Sequence, residues 1–151
     1  RARGFTGRLL ELGVALHAHE AGGAFSYGAG YSAADRLVRQ KIKPDSIFFA
    51  SDVMALGGVD AIRAANLRVP DDISVIGFDD IRLAQFVIPP LTSVQMSQPE
   101  LARLAFNALL AEVERDVPAP NGTEYVLKTN LVLRESTGLL AGASKPAEKQ
   151  Q

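Results

Sequence analysis

The sequence predicts an α/β domain built on a parallel sheet, and three observations carry that expectation. Ile47-Phe48-Phe49-Ala50 and Ile73-Ser74-Val75-Ile76-Gly77-Phe78 are short runs dominated by apolar residues, as strands buried on both faces require. Around them lie segments whose apolar residues recur at helical spacing, and such alternation builds parallel sheets. At 151 residues, 47% hydrophobic and 22% charged, the chain has the size and composition of one globular domain.

Each element has its own reason. Phe5, Leu9, Leu12 and Leu16 open the chain as a helix, with Gly13 marking its end. Residues 16–25 read as a loop with a short strand. Ala29 to Gln40 fits a second helix, with Tyr31, Ala34 and Val38 on one side and Pro44 as its stop. After the strand at 47–50, Ser51-Asp52 leads into a helix over 53–66. Pro70-Asp71-Asp72 makes the turn into the strand at 73–78, and Pro89-Pro90 breaks the chain before a fourth element, strand 91–95. Ser97-Gln98-Pro99-Glu100 is a capping box with proline in the first turn. It opens an amphipathic helix, 97–114, whose buried stripe is Leu101, Leu104, Ala105, Ala108, Leu109 and Val113. After a Pro/Gly loop, Glu124 to Lys128 and Asn130 to Arg134 read as two strands. Residues 1–137 form the domain, and 138–151 read as a disordered tail.

Composition narrows the function. The net charge is −1 and no Lys/Arg cluster stands out, whereas a DNA-reading module needs a basic face. The chain has no cysteine, hence neither disulfides nor thiolate metal sites. His17 and His19 alternate along a short strand without a third ligand, so they read as ordinary strand residues. No cofactor or metal is expected. No apolar run reaches the ~20 residues of a membrane span, and no signal peptide is visible. The chain begins with Arg1 rather than Met, so it is expected to be a fragment.

In an open α/β sheet, ligands sit beyond the carboxyl ends of the strands. That rule selects Ser51 and Asp52, then Asp79 and Asp80, with Phe25 at the same kind of edge before a helix. Hydroxyl and carboxylate acceptors beside an aromatic face suit sugars and nucleobases. Each residue also has a structural alternative. Asp52 is expected to cap helix 53–66 rather than touch ligand, and Ser51 is an equal candidate for that cap. Asp79 and Asp80 are adjacent on an extended chain, so one is expected to face the cleft and the other to cap the following turn. Phe25 alone reads as core, and Arg1 alone as a solvated helix residue. Catalytic motifs are missing: there is no Gly-x-Ser-x-Gly elbow and no phosphate-binding lysine loop. Gly28-Ala29-Gly30 starts like a dinucleotide fingerprint, but residue 33 is Ala.

Six segments, in order, resemble the lactose/galactose repressor family. They are Arg1-Ala2-Arg3-Gly4-Phe5; Phe25-Ser26-Tyr27 through Gly30-Tyr31; Ala50-Ser51-Asp52-Val53-Met54-Ala55-Leu56-Gly57; Val69-Pro70-Asp71-Asp72-Ile73 through Phe78-Asp79-Asp80; Pro89-Pro90-Leu91-Thr92-Ser93-Val94; and Arg134-Glu135-Ser136-Thr137. The resemblance implies a periplasmic-binding-protein-like (type I) fold, of which this chain is an incomplete parallel-sheet lobe. Helix 97–114 would cross to the missing first lobe. It implies a cytoplasmic homodimer that binds a small-molecule effector and touches DNA only through a headpiece upstream. Carried over by position, Arg1, Phe25, Ser51 and Asp79 are the effector contacts. Ser51 is shorter than the Asn of the best-known members. Leu56, Phe86 and Val87 fall on the family's dimer face, and helix 53–66, apolar around much of its circumference, suits burial on more than one side. A secreted sugar-binding protein of a transporter is the alternative reading. A small-molecule enzyme rests only on the acidic pairs.

Overall fold

The computed structural model describes residues 2–14, 16, 24–115 and 124–138. Arg1, His17, His19 and residues 139–151 of the expected tail lie outside them, as does most of the expected short strand. The elements run α1 (Ala2–Glu11), α2 (Tyr27–Val38), β1 (Ser46–Phe48), α3 (Asp52–Ala64), β2 (Ser74–Asp79), a 3-10 turn (Arg82–Gln85), β3 (Thr92–Met96), α4 (Gln98–Val113) and β4 (Thr129–Val132). The sheet order is β1-β2-β3-β4. The first three strands are parallel, with Phe48 opposite Ile76 and Asp79 opposite Gln95. β4 returns antiparallel to β3, with Met96 opposite Thr129.

Local chemistry explains the element ends. Gly13, at φ 66, closes α1 while the Val14 amide returns to the Leu9 carbonyl, a left-handed helix stop. Ser26, Ser51 and Ser97 cap α2, α3 and α4, each hydroxyl accepting an amide N–H three residues on. One core joins the sheet to α2 and α3: Leu37, Val38, Phe49, Val59, Ile62, Ile73, Val75 and Leu91. Ile62 and Ile73 are almost completely buried, each contributing about 1.5–3 kcal/mol. Phe5 of α1 stacks on Phe48 at the outer strand, ring centroids 4.8 Å apart.

One expectation changes. Residues 124–128 form no strand; pairing begins at Thr129. The partner strand ends at Met96, and the chain then turns into α4, leaving no backbone opposite 124–128. No residue of α4 is buried, and Leu101, Leu109 and Val113 of its stripe are exposed, so the described residues of this chain do not cover it. The all-round apolar character of α3 is met largely within the chain. Ala55, Val59 and Ile62 enter the core, and α2 packs along another side. Val53, Asp60, Arg63 and Ala64 are exposed, and Leu56 is half-buried.

Candidate functional site

The carboxyl edge of the sheet gathers most of the polar residues selected by the strand-end rule. Ser51 follows β1, and its buried hydroxyl accepts the Met54 amide at 3.3 Å. It is therefore the cap of α3, and Asp52 is not. Asp52 sits in the first helical turn, fully buried. Its Oδ1 accepts the Ser93 hydroxyl at 2.6 Å, and its Oδ2 accepts the Ile81 amide at 2.8 Å. Gly77 lies beneath it: a Cβ there would collide with Asp52 Oδ1.

Asp79 ends β2 at φ 108, and Asp80 follows at φ 51. Both are non-glycine residues in the positive-φ region, which costs about 1–3 kcal/mol each and concentrates at functional sites. Asp80 neither faces solvent nor caps the next turn. Its side chain is 9% exposed, bonded to Arg134 at 2.6 Å and to Gln95 Nε2 at 2.8 Å. The amide of the next residue, Ile81, goes to Asp52 instead. Arg134 also donates to the Leu91 carbonyl at 2.7 Å, anchoring the segment after β4 across β3.

An open cleft of about 410 Å³ lies at this edge, with Asp79, Arg82, Gln95, Met96 and Gln98 among its lining residues. Its size falls in the range of small-molecule sites. The sequence reading missed the β3 contribution. The strand-end rule, applied to residues 92–96 as it was to the other two strands, points to Gln95 and Met96.

Phe25 is 66% exposed, so it is not a core residue. It precedes the cap of α2, whose Tyr27 and Gly30 lie against Gly57 and Met54 of α3. Of Phe25, Ser51 and Asp79, only Asp79 lines this cleft; Phe25 and Ser51 stand at the starts of α2 and α3, and Arg1 is outside the described residues. Of the expected dimer positions, Phe86 is 66% exposed and is followed by exposed Ile88, whereas Val87 packs against the core. Among the described residues no group of three or more His, Cys, Asp or Glu is placed to hold a metal, and no helix is long and apolar enough to cross a membrane.

Burial raises the Asp52 carboxyl above the ordinary aspartate range, and the charges of Asp79 and Asp80 push the same way; the bonds from Ser93 and Ile81 oppose them. The consequence has a definite sign. Where the folded state holds a proton that the unfolded state has lost, stability falls as pH rises. The Asp52 contribution is therefore full below about pH 3.9, the unfolded value, and declines until the folded pKa is passed. Asp35 and Asp72, lowered by hydrogen bonds to Arg39 and Arg68, act oppositely on the acid side. Subtracting the wild-type stability curve from that of Asp52→Asn should isolate the first effect: a difference that rises with pH from about 4 and then levels off. A flat difference would mean that Asp52 titrates as an ordinary surface carboxylate.

A parallel sheet with a cleft and a gathered set of polar groups at its carboxyl edge defines an α/β ligand-binding lobe. The chain belongs to the periplasmic binding protein-like domain family, whose model matches residues 1–137. It is 35% identical over 137 residues to the ribose operon repressor of Haemophilus influenzae, covering 90% of this chain and 41% of that protein. Among solved structures, the lac repressor dimer bound to operator and the anti-inducer ONPF superposes with a TM-score of 0.82 at 31% identity, covering 93% of this chain and 47% of that one. A LacI family transcriptional regulator from Arthrobacter sp. FB24, in complex with lactose, gives 0.78 at 33% identity, covering 90% and 50%. The chain spans about half the length of these relatives or less, and all three are regulators of the lactose/galactose repressor family, as the six segments indicated.

Proposed function

We propose that this chain is the effector-binding part of a transcriptional regulator, a repressor whose operator affinity is set by a sugar or nucleoside-like ligand. It acts by binding, not by catalysis. The observation that carries the reading is Asp79, held at φ 108 at the end of a central strand and lining the cleft. A carboxylate in that position accepts two hydroxyl donors at once, which suits adjacent ring hydroxyls. Phe25 supplies the apolar face for stacking and Arg1 donates to ligand oxygens, while Ser51, buried as the cap of α3, serves the site by fixing that helix start. The relatives support a polyhydroxylated ligand: one is named for a ribose operon, and another is a complex with lactose.

In the intact regulator, operator recognition falls to residues outside this chain, since 16 basic against 17 acidic residues give it no cationic excess. The regulator works in the cytoplasm as a homodimer through the face carrying Leu56, Phe86 and Val87. Exposed Phe86 and Ile88 give that face apolar surface to bury.

Asp79→Asn in the intact regulator should weaken binding of the tightest-binding member of a panel of D-ribose, lactose and adenosine by about 10- to 150-fold. That corresponds to the roughly 1.5–3 kcal/mol of a hydrogen bond to a charged group. Calorimetry reads it. Unchanged affinity with a lowered melting temperature would make Asp79 a purely structural residue.

A further inference from the structure

We propose that Asp52 is a positioning residue for the effector site: by holding the Ile81 amide and the Ser93 hydroxyl, it fixes the turn that presents Asp79 to the cleft. The inference rests on the reading of Asp79 as an effector contact.

Two consecutive non-glycine residues at positive φ do not hold that shape unaided; the surroundings must over-determine it. The ties are visible. Ser93 Oγ accepts the Asp80 amide at 3.1 Å and donates to Asp52 Oδ1 at 2.6 Å. Asp52 Oδ2 accepts the Ile81 amide at 2.8 Å. One carboxylate therefore secures both peptides that follow Asp79, one directly and one through Ser93. Gln95 and Arg134 hold the Asp80 side chain from the other side.

Three further facts separate this role from the obvious ones. Asp52 is fully buried, so it does not meet the ligand itself. Helix α3 already has its cap in Ser51, so the helix does not need the Asp52 carboxylate for that purpose. The space the carboxylate fills exists only because residue 77 lacks a side chain. A buried carboxylate is unfavourable unless its hydrogen bonds are made, and here each oxygen is spent on the segment next to Asp79.

The test uses the intact regulator with Asp52→Ala, Asp52→Asn, Ser93→Ala and Asp79→Asn. Amide hydrogen exchange without ligand is read by NMR. Asp52→Ala should exchange the Asp80 and Ile81 amides at least about tenfold faster, while the strand amides of Ile76 and Val94 keep their protection. Asp52→Asn keeps an acceptor for Ile81 and should stay near wild type. Affinity for the tightest-binding of D-ribose, lactose and adenosine should fall about tenfold or more in Asp52→Ala and stay within about threefold in Asp52→Asn. A folded Asp52→Ala with unchanged exchange at 80–81, or with undiminished affinity, overturns the proposal. If Asp52→Ala does not fold, Ser93→Ala decides: faster exchange at Asp80 supports the proposal, and unchanged exchange overturns it. If no panel member binds, the exchange measurement alone decides. Should Asp79→Asn leave affinity intact while Asp52→Ala frees the turn, the effector-contact reading has failed and the turn-holding part stands.

Discussion

Gly57→Ala should cost the fold about 3 kcal/mol or more, the upper range for overpacking. Helices α2 and α3 cross with backbone against backbone. A Cβ at Gly57 would be driven into the Tyr27 carbonyl and crowd the Tyr31 amide; a Cβ at Gly30 would meet the Met54 carbonyl. The obstacles are main-chain atoms of a second helix, which no rotamer change moves aside. Accepting the methyl group means separating the helices, and with them the contacts of Ala34, Leu37, Ala55 and Val59 in the core. Interiors at crystal-like packing density do not absorb such a shift cheaply. Ordinary helix propensity points the other way, since alanine is favoured over glycine by about 1 kcal/mol in a helix interior. The sign of the effect therefore separates the two. Urea denaturation of wild type and variant should show a clear loss of stability; a gain, or no change, would mean that the helices are not in backbone contact.

Ser136→Ala should cost about 2–6 kcal/mol. The residue is fully buried in the segment after β4 and stitches together the starts of two parallel strands. Its hydroxyl accepts the Thr92 amide at 2.8 Å and donates to the Val75 carbonyl at 2.6 Å. Its backbone takes the Val75 amide at 2.7 Å and gives its own N–H to Pro90. Alanine leaves an interior donor and an interior acceptor without this partner, each worth about 1–3 kcal/mol. The same denaturation experiment reads it, and a loss below about 0.5 kcal/mol would show that another group satisfies both atoms.

These two residues also show where the sequence is legible and where it is not. Local signals worked. The apolar runs at 47–50 and 73–78, the stop at Gly13 and the capping serine at 97 each depend on neighbours within a few residues, and each element is found within about two positions of its expected place. The strand-end rule selected Asp79, which does end β2 and line the cleft, because it needs only the end of a strand. Contacts between distant residues were not readable. Asp80 and Arg134 are 54 positions apart, and Asp52 and Ser93 are 41 apart; no periodicity announces either pair. Asp52 therefore looked like a cap, when a serine one residue earlier holds that post. Gly30 and Gly57 belonged to recognisable segments, but their reason is a helix crossing that only the fold reveals. The run at 124–128 had strand composition and still lacks a partner, because strand formation depends on what lies opposite.

A polyhydroxylated effector held at the carboxyl edge beside Asp79 would leave a direct structural signature. The most direct measurement is a crystal structure of the intact regulator with the tightest-binding of the sugar and nucleoside probes. Two ligand hydroxyls should lie within hydrogen-bond distance of the Asp79 carboxylate, with the Phe25 ring against an apolar ligand face and Asp80 still paired to Arg134. A ligand bound away from this edge, or one whose hydroxyls leave Asp79 untouched, would contradict it.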